Sequence, residues 1–136
     1  MIRSKAGRVV AATALAVLAA AAVAFAQAPQ APWTAPAADK AKKNPVPGGA
    51  KAIEDGKKVA QVNCVTCHGA GGKGDGAAAV ALNPKPADWT SKRVQDESDG
   101  ELFWKISNGR NAMPPWKHLP EADRWAVIHY IRSLKK

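Results

Sequence analysis

Hydrophobic and polar positions divide the chain into three stretches. Residues 9–24 are an uncharged, alanine-rich run behind the basic residues Arg3, Lys5 and Arg8. Residues 27–52 hold five of the ten prolines and little that is apolar beyond alanine. Such a stretch is predicted to be an extended linker, poorly able to bury a core. From residue 53 the pattern turns helical. Ile53, Gly56, Val59, Ala60 and Asn63 share one face and predict a helix over 53–63. Five glycines within 69–76 predict a tight loop. Residues 77–82 predict a helical turn, ended by Pro84 and Pro86. Ser98 and Glu101 form a capping box that opens a helix through Leu102, Phe103 and Ile106, closed by Asn108 and Gly109. The last helix is predicted to start at Pro120, with Glu121 and Asp123 in its first turn. Its buried stripe is Val127, Tyr130, Ile131 and Leu134, and His129 lies off it, toward the surface. No stretch alternates as a strand does, so the predicted class is all-α.

Charge and length refine this picture. Twenty basic and 11 acidic side chains give a net charge of +9. Lys40, Lys42, Lys43 and Lys51 against Asp39 place +3 of it in the linker. Residues 1–26 read as a signal peptide: a basic start, an apolar run, then Ala24-Phe25-Ala26 as a small-residue cleavage site. The competing reading is a retained membrane anchor, since the run is close to spanning length, although its alanine richness makes it a weak one. No cysteine stands at that junction to carry a lipid. The expected organisation is therefore 1–26 signal peptide, 27–52 linker and 53–136 domain. Those last 84 residues form one small domain whose core is marginal without a further group to bury.

The candidate chemistry lies in Cys64-Val65-Thr66-Cys67-His68, which holds both cysteines of the chain. Cys-x-x-Cys-His is the attachment signal for c-type haem. Two thiols about a helical turn apart can each add to a haem vinyl group, and the next residue offers an imidazole to the iron. A zinc ribbon would need a second ligand pair, and no further cysteine exists. A thioredoxin-like pair would sit in a βαβ pattern that the flanks lack. Gly69, Gly71 and Gly74 match a dinucleotide fingerprint by spacing, but no strand precedes them. For the sixth iron ligand, Met113 is the one methionine besides Met1, and it stands in a polar loop stiffened by Pro114 and Pro115. His118 and His129 compete with it; His129 would have to leave a helix.

Gly56, Cys64-x-x-Cys67-His68-Gly69, Leu82-Asn83-Pro84-Lys85-Pro86, Met113-Pro114 and Trp125 with Tyr130-Ile131 follow one another in the order seen in class I monohaem cytochromes c of the bacterial periplasm. The chain resembles that family from about residue 53 to 134. It departs at Ala60, where the family usually has an aromatic residue. The resemblance implies a small all-α fold of three to five helices around one covalent haem c. It also implies thioethers at Cys64 and Cys67, axial ligation by His68 and Met113, and a proline-loop carbonyl on His68 Nδ1, with Pro84 the candidate and Pro86 the fallback. The resemblance further implies Trp89 against the haem edge or a propionate, and Arg110 at a propionate. The implied activity is one-electron transfer in the periplasm without enzymatic bond chemistry. Redox proteins with an acidic docking patch are the expected partners, not nucleic acid, with membrane contact only through a partner complex or an uncleaved signal segment. A haem subunit of a larger respiratory or dehydrogenase complex, and a peroxidase or ligand-binding haem protein, are the alternatives.

Overall fold

A computed structural model describes residues 32–136, so the expected signal peptide at 1–26 and the first residues of the linker lie outside the described residues. Six α-helices follow in order: α1 (Ala37–Lys40), α2 (Ala50–Asn63), α3 (Val65–His68), α4 (Lys92–Gln95), α5 (Asp99–Asn108) and α6 (Glu121–Ser133). A 3-10 helix, Ala77–Ala81, lies between α3 and α4. Among the described residues the one β-type pairing is an isolated bridge between Arg110 and Met113. The described residues are thus all-α, as expected: three helices of ten or more residues with three single turns of four residues between and before them. No helix among the described residues is long and apolar enough to cross a membrane.

The core is built on the crossing of α2 and α6. Gly56 makes that crossing close: a Cβ there would run into the Ala126 carbonyl, and the nearest backbone nitrogen, Val127 N, would be 2.9 Å away. Ala60, the residue that replaces the family's aromatic, is fully buried one turn further on. Helix α6 buries Trp125, Ala126, Val127, Ile128, Tyr130 and Ile131, a wider face than the predicted stripe. It has two neighbours to cover, since α5 packs on it as well as α2. Phe103 of α5 stacks on Trp125 at 3.9 Å between ring centroids and 9° between planes, with the Arg124 guanidinium 4.7 Å from the Phe103 ring.

The segment before α2 differs from the extended linker that its prolines suggest. Thr34–Lys136 forms a single compact unit, and α2 begins at Ala50 rather than 53. Asn44 donates through Nδ2 to the Trp125 carbonyl at 3.0 Å, and its Oδ1 accepts from Val46 N at 3.0 Å. His129, expected at the surface, is half-buried because its Nε2 lies 2.8 Å from the Val46 carbonyl. Ser98 Oγ, the N-cap of α5, donates to Lys40 O, and Lys40 pairs with Glu101 at 3.3 Å. A side chain at Gly100 would meet the Asp39 carbonyl. Prolines stiffen this strap, but an asparagine and two carbonyls tie it down.

Candidate functional site

Helix α2 ends where Cys64 takes φ −120° and ψ −31°, and a fresh turn, α3, starts at the next residue. Cys67 N and His68 N both donate to the Cys64 carbonyl, at 3.1 and 2.9 Å. The turn that holds two thiols therefore presents the imidazole as well. Its open carbonyls are taken by the glycine loop, where Gly74 N reaches His68 O at 2.8 Å and Gly76 N reaches Cys67 O at 3.1 Å. Gly69, at φ +77°, sends the chain out of the turn in a conformation that favours glycine.

His68 is buried, and its Nδ1 lies 3.0 Å from the Ala87 carbonyl. The acceptor is thus Ala87, not Pro84 or Pro86 as the resemblance implied. Pro86 O is turned toward Gly74, against which it packs too closely to admit a side chain, and the next carbonyl along faces the ring. A carbonyl only accepts, so Nδ1 carries the hydrogen and Nε2 keeps a free lone pair, the state in which imidazole ligates a metal. Burial holds His68 below its ordinary pKa, outweighing the Ala87 hydrogen bond, which favours the charged form. Burial, with the neighbouring Cys67, pushes the Cys64 thiol up to about 11. Reactive Cys-x-x-Cys pairs have lowered thiol pKa values, so Cys64 is not such a thiol.

Trp89 follows two residues after Ala87 and stacks on His68, with centroids 4.5 Å apart and planes at 21°. Its backbone is pinned at both ends: Trp89 N donates to Gly72 O at 2.7 Å, and Gln95 Nε2 donates to Trp89 O at 2.7 Å. Asp88 makes the turn between them, its Oδ1 accepting from Thr90 N and Thr90 Oγ1, both at 2.8 Å. Met113 and Arg110 belong to a different element. Gly109, at φ +63°, ends α5, and Arg110 and Met113 exchange two backbone hydrogen bonds of 2.9 and 3.0 Å around Asn111 at φ +53°. Trp116 N donates to Ile106 O at 3.1 Å, which ties the far side of this loop back to α5. Met113 and Arg110 are half-buried, whereas His118 is exposed.

Two thiols in one turn, a neutral imidazole with Nε2 free, and a thioether on a separate braced loop fit a c-type haem. No cluster of three or more His, Cys, Asp or Glu able to hold a metal occurs among the described residues. Ala87 and Gln95 are site-building residues outside the sequence-predicted set, and Gly72 belongs to the predicted glycine loop. The Asp88-x-Thr90 turn signal was there to find; nothing in the sequence marks Gln95.

An all-α unit organised around a Cys-x-x-Cys-His turn defines a c-type cytochrome domain. Residues 51–131 match the family described as cytochrome c oxidase, cbb3-type, subunit III, and the chain belongs to this family of c-type cytochromes. It is similar to cytochrome c6 of Cladophora glomerata, 33% identical over 90 residues that cover 60% of this chain and 88% of that protein. It is also similar to the CcoP subunit of a cbb3-type cytochrome c oxidase from Azospirillum brasilense. The two are 32% identical over 87 residues, 62% of this chain but 29% of CcoP. Among solved structures, one in a reducing HAO-like protein complex of Kuenenia stuttgartiensis superimposes with a TM-score of 0.60 at 29% identity. The match covers 68% of this chain and 47% of that one. The chain thus spans less than a third of the CcoP subunit and under half of the solved chain. It is a monohaem c-type cytochrome with covalently bound haem c, and its chemistry is electron transfer through that haem.

Proposed function

We propose that this protein is an exported, periplasmic electron carrier. In this reading Cys64 and Cys67 hold the haem through thioethers, and His68 and Met113 are its axial ligands. Haem c supplies a one-electron Fe(III)/Fe(II) couple, and the chain's own residues bind, orient and shield it. The observation that carries the reading is the His68 ring: buried, neutral, with Nδ1 committed to Ala87 O and Nε2 left for iron. Two features favour Met113 over its competitors. Its loop is braced by the paired hydrogen bonds to Arg110, and the Nε2 of His129 faces Val46 O instead. Thioether ligation favours the ferrous state relative to a second imidazole, so the potential is high for a haem protein. With both axial positions filled there is no open coordination site for peroxide, and no bond chemistry is assigned. Arg110, at the head of the Met113 turn, is the proposed propionate partner. The acidic docking patch of a redox partner is proposed from the chain's net positive charge.

The test is Met113→Ala in the haem-loaded protein. The variant loses the methionine-to-iron charge-transfer band, binds carbon monoxide and cyanide, and gains peroxidase-like activity. An unchanged spectrum and potential would assign the ligand to His118, His129 or solvent and put the peroxidase reading level with the carrier. Export is tested by the mass of protein from the periplasm, which should begin near Gln27. A second reading, a haem subunit of a larger complex, draws on the likeness to CcoP and to a chain from a protein complex. Co-purification from native membranes at a fixed stoichiometry would select it.

A further inference from the structure

We infer that Trp89 is a positioning residue for the iron-binding imidazole: its indole face fixes the plane of the His68 ring and stabilises the oxidised state. This rests on the reading of His68 as an axial ligand. Three separate features of the structure lead to it. The first is the stack itself, nearly parallel at 4.5 Å, by a side chain that is 6% exposed. The second is the way Trp89 is held. Its N–H is on Gly72, its carbonyl on Gln95, and Gln95 Nε2 donates in turn to Ile131 O at 2.8 Å, so the indole is referenced to α6. Tyr130, also on α6, meets its ring edge-on at 6.3 Å. The third is continuity with Ala87, two residues earlier, whose carbonyl takes Nδ1. One short segment thus grips the imidazole twice, in its plane by a hydrogen bond and across its face by a ring. The hydrogen bond alone leaves rotation about the Nδ1 direction soft; the ring removes it.

The sign of the electronic effect follows from the same geometry. An imidazole on ferric iron carries more positive charge than one on ferrous iron, and the face of an indole is negative. Contact with that face therefore favours the ferric state and lowers the potential. A leucine in the same place would fill the volume and exclude water, but would offer no such face.

The experiment compares haem-loaded wild type with Trp89→Leu, Trp89→Phe and Gln95→Ala, recording thermal unfolding for each. Trp89→Leu should raise the midpoint potential, alter the ferric EPR anisotropy, and speed solvent exchange of the His68 Nδ1–H by about tenfold, as expected for a locally opened hydrogen bond. Trp89→Phe, which restores a ring, should return most of the shift. Gln95→Ala keeps every aromatic in place and should still accelerate the exchange. If the Leu and Phe variants lose stability while potential, EPR and exchange stay at wild-type values, Trp89 is packing alone and the inference falls. If Trp89→Leu does not fold, unchanged exchange in Gln95→Ala overturns it equally. NMR of wild type labelled at histidine nitrogens separates the two layers. A His68 ring without hyperfine shift defeats the ligand reading itself, whereas a shifted ring indifferent to Trp89 defeats only this inference.

Discussion

Gly72 lies under the indole of Trp89, and that contact can be tested with a single methyl group. A Cβ there would come within 2.7 Å of Trp89 Cε3 and 2.8 Å of Leu134 Cδ1, at a φ of +69°. The leucine end can swing away. The indole cannot, being held at both ends of its backbone. Left-handed strain of about 1–2 kcal/mol adds to overpacking of about 1–3 kcal/mol, so Gly72→Ala should destabilise by about 2–5 kcal/mol in chemical denaturation. Gly71 is the control, since its Cβ would come no closer than 4.0 Å to Lys73. Gly71→Ala should change stability by less than about 0.5 kcal/mol. Equal losses in both variants would mean that loop entropy, not the indole contact, fixes the glycines. At this scale legibility was uneven for a physical reason. Cys64, Cys67 and His68 declare themselves because their chemistry lies in side chains at fixed spacing. The partner of His68 is a main-chain carbonyl, which every residue owns, so the proline motif pointed to the right loop and the wrong residue.

At the scale of helices, the α2–α6 crossing and the α5 N-terminus make opposite demands on sequence. Gly56 costs about 1 kcal/mol of helix propensity against alanine, yet alanine there would strike the Ala126 backbone carbonyl. Backbone cannot rotate away, so the crossing must open. Gly56→Ala should therefore lose at least about 3 kcal/mol despite the better helix former, read from the unfolding midpoint of the haem-loaded protein. A gain of stability would show that the helices slide apart freely. Helix α5 opens on Ser98 Oγ, which accepts from Glu101 N at 3.1 Å. Glu101 does a second job, pairing with Lys105 at 3.2 Å and with Lys40 at 3.3 Å. Burial raises its pKa, and the two lysines outweigh that, holding it below the ordinary 4.5. A lowered folded pKa gives stability that is present above 4.5 and lost as pH falls through the folded value. Wild type should exceed Glu101→Gln in melting temperature at neutral pH, and the gap should close in acid. A gap that persists below pH 3 would assign the effect to packing. The Ser98 cap and the helical periods were readable because they are local; the second role of Glu101 was not, since its partner Lys40 lies on a strap distant in sequence.

For the whole molecule the question is how charge is spread. Residues 32–136 carry 17 basic and 11 acidic side chains, a net +6, and the strap lysines belong to the folded unit instead of trailing from it. Lys40 pairs with Glu101, Lys42 with Asp39 at 2.6 Å and Lys51 with Asp55 at 2.6 Å. Contact pairs neutralise one another nearby but leave the far field to net charge, which steers encounter and is screened beyond about 10 Å at 0.1 M salt. Removing residues 27–52 would be a poor probe, because it cuts into α2 and takes Asn44 from the Trp125 carbonyl. Charge reversal of the reagent is cleaner. Oxidation of the ferrous protein by anionic ferricyanide should slow as salt is added, and oxidation by a cationic cobalt complex should quicken. Lys42→Gln with Lys43→Gln alters exposed side chains and spares the Lys40–Glu101 pair, so it should flatten both trends without moving the melting temperature by more than a degree or two. Rates with both reagents that ignore ionic strength would mean that the surface through which electrons pass sits in a neutral field. The basic excess would then serve something other than finding an acidic partner.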